Sequence, residues 1–267
     1  VFYKRSFFCH GTFGFLYAKC AMIFPNLMGW EFAAVVLAFV ASGLVRGFNG
    51  GAGANFITAP VLAFLIGPRE AVPIIIFLNL ISNIQVMPSA LPNTDWKRML
   101  PIGLSASVMA PVGAWILFAI EEELMRRLVA VTSIMLALIL LSGWRYRGPR
   151  GIVVRLGVGG LGGLVTGSVS MGGPPVFLYL MSGPGSAASQ RANFLAFGLM
   201  VQIGAVLSYA FAGLITLDIL LMAGILFVPF TLACWIGMRL FIRVSDTQFR
   251  NYTLWGIAIL SLVIAVV

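Results

Sequence analysis

The chain has 267 residues, 60% of them hydrophobic and 9% charged, with a formal net charge of +9. A soluble domain of this length carries about 25% charge to cover its surface, so the outside of this protein must face something apolar. The basic residues stand singly or in small groups between long apolar runs, which excludes a nucleic-acid binder with one solvated basic face and points to loop ends at a membrane.

A membrane-crossing helix needs about 20 mostly apolar residues. The stretch 6–24 is apolar but interrupted by His10, Gly11 and Lys19, and reads as an extra helix or a signal-anchor-like segment in an N-terminal leader over 1–28. The first clear span is 30–48, with Arg46 near its end. A glycine cluster follows, Gly50, Gly51 and Gly53, flanked by Asn49 and Asn55. The apolar run behind it, 54–66, is too short to cross. The next span, 70–91, carries Asn79, Asn83 and Gln85. Pro92-Asn93-Thr94-Asp95-Trp96-Lys97-Arg98 leads into the span 99–119, and Glu121-Glu122-Glu123 into the span 124–142. Arg145, Arg147 and Arg150 mark the middle of the chain. The span 151–169 then ends in a second cluster, Gly172 and Gly173, beside Ser168 and Ser170. A short run, 174–182, is followed by spans at 190–213, which carries Asn193 and Gln202, at 219–241 and at 249–267. With the central arginine loop inside the cell, Lys97, Arg98, Arg147, Arg150 and Arg191 are among twelve basic residues that fall inside, whereas Lys19, Arg69, Arg126 and Arg127 fall outside together with Glu31, Glu70, Glu121, Glu122, Glu123 and Asp218. This follows the positive-inside rule. Arg191 reads as a loop residue of that inner face, and Trp30, Trp96, Trp144 and Tyr146 as interfacial anchors.

The two glycine clusters belong to an internal repeat. Gly43, Gly47 and Gly53 recur 120 positions later as Gly163, Gly167 and Gly173, and the same offset carries 70, 99 and 124 to 190, 219 and 244, at or near the starts of later spans. The repeats are read as 29–143 and 144–267, each with about five helical elements. An odd number of crossings turns the second copy upside down, an inverted-topology plan common in transporters. Ordinary small-residue packing between membrane helices is the plainer account of the glycines.

A broken helix at membrane depth is tolerated only where protein or a water-filled cavity surrounds the freed backbone groups. A short helix that starts there offers free N–H groups and a partial positive charge, a seat for an anion. The expected architecture is therefore an all-α polytopic membrane protein with two inverted repeats, whose glycine-broken hairpins meet near the midplane. The candidate anion contacts are Asn49, Gly50, Gly51, Gly53, Asn55, Asn83, Ser170, Gly172, Gly173 and Gln202. For each amide the alternative is a hydrogen bond between helices. Arg46 is either a fixed positive charge that draws an anion in, or a side chain that snorkels to the inner interface.

The stretches GLVRGFNGGAGANFITAP, GLVTGSVSMGGPP and NTDWKRMLPIGL, taken together, resemble the sulfite exporter TauE/SafE family over nearly the whole chain from about residue 30. The resemblance implies a bacterial inner-membrane transporter for a small sulfur-containing anion such as sulfite, an organosulfonate or thiosulfate. It also implies a substrate site between Gly50, Gly51 and Gly53 on one side and Ser170, Gly172 and Gly173 on the other. The cysteines depart from thiosulfate-handling relatives, since only Cys234 lies in a clear span. A cysteine relay is therefore not supported, and a plain oxyanion is favoured. No enzyme is implied: Cys9, Cys20 and Cys234 are scattered, His10 is the one histidine, and no nucleophile, acid pair or metal spacing stands out. No cofactor is expected. The expected partners are the sulfur oxyanion, membrane lipids and, as an option, a second copy of the chain. An anion channel built on the same hairpins is the alternative function.

Overall fold

The computed structural model describes residues 29–49, 51, 54–142, 146–183 and 185–242. In chain order the helices are α1 Trp30–Asn49, α2 Asn55–Leu65, α3 Pro68–Ala90, α4 Trp96–Ala119, α5 Glu122–Leu141, α6 Ile152–Val169, α7 Gly173–Met181, α8 Ala187–Phe211 and α9 Leu217–Ile242, with a 3-10 turn at Leu91–Asn93. No strand occurs among the described residues. The segments 6–24 and 249–267 lie outside them.

Local chemistry sets the boundaries. Gly67 enters α3 at φ +88, where a side chain would be strained, and Pro68 follows as the first helical residue. Proline suits that position, since its missing N–H is not needed in the first turn. The Asp95 carboxylate accepts from the Arg98 N–H and starts α4, and the Ser186 hydroxyl accepts from the Ser189 N–H and starts α8. Each cap satisfies a donor that the helix itself cannot.

Among the described residues, six helices are long and apolar enough to cross a membrane: α1, α3 with the turn after it, α4, α6, α8 and α9. The chain is a multi-pass membrane protein. The expected span at 124–142 forms the helix α5, with the Glu122–Arg126 and Glu123–Arg127 pairs in its first turns. The two short runs stay short, with 11 residues in α2 and 9 in α7.

Burial confirms the solvent. Phe211 is 89% exposed, Val108 and Trp115 71% and Leu37 67%, while Asn83, Arg46, Arg191 and Gln202 are buried. A water-soluble monomer does not present so much large apolar surface; a chain in lipid does so at no cost.

The helices pair crosswise. α1 lies along α9, α4 along α6, and α3 against α8, while α2 packs on α3 and α7 on α8. At the first two pairs the backbones touch. Gly43 and Gly47 on α1 face Phe230 and Cys234 on α9, and Gly237 faces Leu44. Gly163 and Gly167 on α6 face Ala106 and Ala110 on α4, and Gly113 faces Leu164. A Cβ at any of these six glycines would collide with a carbonyl of the opposite helix. Close small-residue crossings of this kind drive helix association where lipid offers no hydrophobic force.

Candidate functional site

Two chain breaks meet. α1 stops at Asn49, the chain turns through Gly51 at φ +105, and α2 starts at Asn55. α6 stops at Ser170, which is left-handed at φ 60 and ψ 14, and α7 starts at Gly173. Asn55 Nδ2 donates to the Ser170 carbonyl across the gap, and Asn79 Nδ2 donates to Asn55 Oδ1 at 3.1 Å. The α1–α2 break, the α6–α7 break and the middle of α3 are thus tied into one unit.

A small cavity opens beside this junction, lined among others by Arg46, Gly51, Asn55, Ser170, Gly173 and Gln202. Arg46 is 4% exposed. Its Nη2 donates to the Asn79 carbonyl at 3.1 Å and to Asn83 Oδ1 at 2.8 Å. The guanidinium therefore turns inward, and the snorkelling reading does not hold. A Cβ on Gly51 would approach Arg46 Nη1 to 2.7 Å, so the turn hugs the cation. Among the described residues no carboxylate pairs with Arg46; the ion pairs are Arg98–Asp95, Arg126–Glu122 and Arg127–Glu123, on helix ends away from the cavity. An isolated charge taken out of water costs several kcal/mol or more unless something compensates it, and here the acceptors are neutral amide and carbonyl oxygens.

Ser170 is the second unusual residue. A non-glycine residue in the left-handed region stores roughly 1–3 kcal/mol, and its buried Oγ has no hydrogen-bond partner among the described residues. Ser170 is one of the residues that line the cavity.

The remaining sequence candidates fall into three groups. Asn83 is fully buried behind the cavity, donating its Nδ2 to Gln202 Oε1 at 2.7 Å. Gly172 lies against the Gly162 carbonyl and the Thr166 hydroxyl, so its lack of a side chain serves packing of the break onto α6. Gly50, Gly53 and the side chain of Asn49 lie outside the described residues.

The two short helices are not equal donors. All four residues of the first turn of α2, from Asn55 to Thr58, own an N–H, whereas Pro174 and Pro175 remove two from α7. Proline carries no amide hydrogen, so the backbone donors at the junction come mainly from α2.

Several lining residues escaped the sequence reading: Thr166, Phe194, Phe197 and Gly198. Phe194 is T-shaped against Phe177 and tilted on Phe197, which closes an apolar wall over the cavity. Gly198 stands one turn before Gln202, and that spacing was the available signal. Arg191 is the clearest revision. Expected in an inner loop, it is 6% exposed in α8, and its Nη2 donates to the Gly47 carbonyl at 2.8 Å in the last turn of α1. The Ser186 cap starts the helix earlier than hydropathy suggested and carries Arg191 inside. A cation at the carbonyl end of a helix is favourable.

A family model described as sulfite exporter TauE/SafE matches residues 34–264. No curated protein and no solved structure matches the chain.

Proposed function

The chain belongs to the sulfite exporter TauE/SafE family, and from that premise we propose that it is a secondary transporter carrying a small sulfur oxyanion, sulfite before an organosulfonate or thiosulfate, across a bacterial inner membrane. One observation carries the reading: Arg46 is buried, lines the cavity and, among the described residues, is bonded only to neutral acceptors. A compact anion supplies the compensation that the described residues lack. At 4 Å and an effective dielectric of about 20, one unit charge against the guanidinium is worth about 4 kcal/mol. The Ser170 hydroxyl, the first-turn amides of α2 and the Gln202 side chain complete a set of donors suited to sulfonate-type oxygens.

The matched glycine contacts support a repeat, since Gly43 with Phe230 corresponds to Gly163 with Ala106, Gly47 with Cys234 to Gly167 with Ala110, and Gly237 with Leu44 to Gly113 with Leu164. An inverted repeat of this kind places the site where the halves meet and lets them rock around it. Transport needs no proton relay: with the cell interior negative, each unit of negative charge leaves downhill by about 2.3 kcal/mol per 100 mV.

The test is uptake of labelled sulfite into proteoliposomes under an imposed potassium diffusion potential. Accumulation should follow the sign of the potential and saturate with concentration. A folded protein that moves neither sulfite, thiosulfate nor an organosulfonate refutes the reading, and single-channel currents would replace the carrier by a pore.

A further inference from the structure

Resting on the anion site just described, we propose that Asn83 is a positioning residue and not a ligand contact: with Arg46 it forms a one-way chain of hydrogen bonds that turns the amino end of Gln202 toward the cavity. Chemistry at the origin fixes the direction. A guanidinium has donors and no acceptor, so the Arg46 Nη2 that sits 2.8 Å from Asn83 can only face the amide oxygen. Asn83 is left with its amino group, which donates to Gln202 Oε1 at 2.7 Å. Gln202 has then committed its oxygen, and the end remaining at the cavity it lines is the Nε2 amino group. All three residues are buried. If either amide turned over, donor would face donor out of reach of water, which is the costly failure of a buried polar network.

The neighbourhood is shaped for this link. A Cβ on Gly198 would come within 2.6 Å of Asn83 Nδ2, so a missing side chain one turn before Gln202 makes room for the amide. The adjacent chain from Asn79 through Asn55 ends on the Ser170 carbonyl, an acceptor, and so spends its donors internally. The Arg46 chain is the one that delivers a donor to the guest. This deepens the substrate class: the cavity edge at Gln202 favours a compact oxyanion without protons of its own, and disfavours a guest that must itself donate there, such as an ammonium-bearing zwitterion.

A double-mutant cycle in proteoliposomes tests the chain, with sulfite as the probe. Asn83→Asp keeps the shape and the acceptor toward Arg46 but has no donor, so Gln202 turns its amino group to the new carboxylate and away from the cavity, while the same carboxylate also pairs the Arg46 charge and adds its own loss of anion affinity. Gln202→Leu removes that amino group directly. Each single variant should raise the half-saturation concentration about 10-fold or more, with maximal rate altered less than about twofold, the signature of weakened binding. The double variant should be no worse than Asn83→Asp alone, because the amino group has already left the cavity; multiplication of the single effects, to about 100-fold, means independent side chains and overturns the chain. Should Asn83→Asp fail to insert, Asn83→Leu, which removes both ends of the link, runs the same cycle. Wild-type protein that moves no sulfite defeats the site reading and the chain with it, whereas independent effects on a working wild type defeat the chain alone.

Discussion

At the scale of single residues, Arg46 and Ser170 give the sharpest tests. A hydrogen bond to a charged partner contributes about 1.5–3 kcal/mol, so Arg46→Gln should raise the half-saturation concentration for sulfite about 10- to 100-fold. Asn79 and Asn83 keep partners in that variant, since glutamine still donates, so the melting temperature should change little while flux falls. Ser170 should behave in the opposite sense on the two readouts. Its left-handed backbone costs roughly 1–2 kcal/mol that glycine does not pay. Ser170→Gly should therefore raise the melting temperature while weakening anion retention, because the unpartnered hydroxyl is gone. Thermal unfolding in detergent and concentration-dependent uptake measure the two sides. A variant that gains stability and keeps full affinity would show that the hydroxyl does not touch the anion. Polar residues in an apolar chain are legible as candidates, which is why Asn55, Asn83, Ser170 and Gln202 stand out before any coordinates. Their roles are not legible, because a hydrogen bond between α3 and α8 depends on which faces oppose each other. Arg191 shows the limit: a charge at the edge of an apolar run reads as loop, and only the Ser186 cap moves it inward.

At the scale of helices, glycine has two duties in this chain. At Gly51 it turns the chain with positive φ, and at Gly47 and Gly237 it lets α1 and α9 touch. Composition does not separate these duties: Gly172, a candidate anion contact from its place in the second cluster, is also packed closely against α6. α9 offers an internal control. A Cβ at Gly237 collides with the Leu44 carbonyl, whereas one at Gly224 meets nothing within 4 Å. Gly237→Ala should destabilise by about 1–3 kcal/mol through overpacking, and Gly224→Ala should stabilise by about 0.5–1 kcal/mol through helix propensity. Melting temperatures of the two variants, in the same detergent, should fall on opposite sides of the wild type. Equal shifts would mean that the α1–α9 crossing is looser than the contact implies.

At the scale of the whole molecule, hydropathy alone located the long spans because twenty apolar residues have few other uses, and the short lengths of α2 and α7 were visible for the same reason. The crosswise pairing of α1 with α9 and α4 with α6 was not visible, since contact between halves is a property of three dimensions. Orientation is where sequence and fold combine into a test. The first turn of α4 carries Lys97 and Arg98, and the corresponding first turn of α9 carries Asp218. If the second repeat is the first turned over, these equivalent turns lie on opposite faces, with the basic one toward the cytoplasm. Lys97→Cys and Asp218→Cys, each in a chain whose native Cys9, Cys20 and Cys234 are replaced by Ala, should then react oppositely with a membrane-impermeant maleimide. The Asp218→Cys variant should label in intact cells, and the Lys97→Cys variant only after the membrane is opened. Labelling of both from one side would make the repeat parallel, the two short helices would no longer approach the cavity from opposite directions, and alternating access by rocking one half against the other would lose its geometric basis.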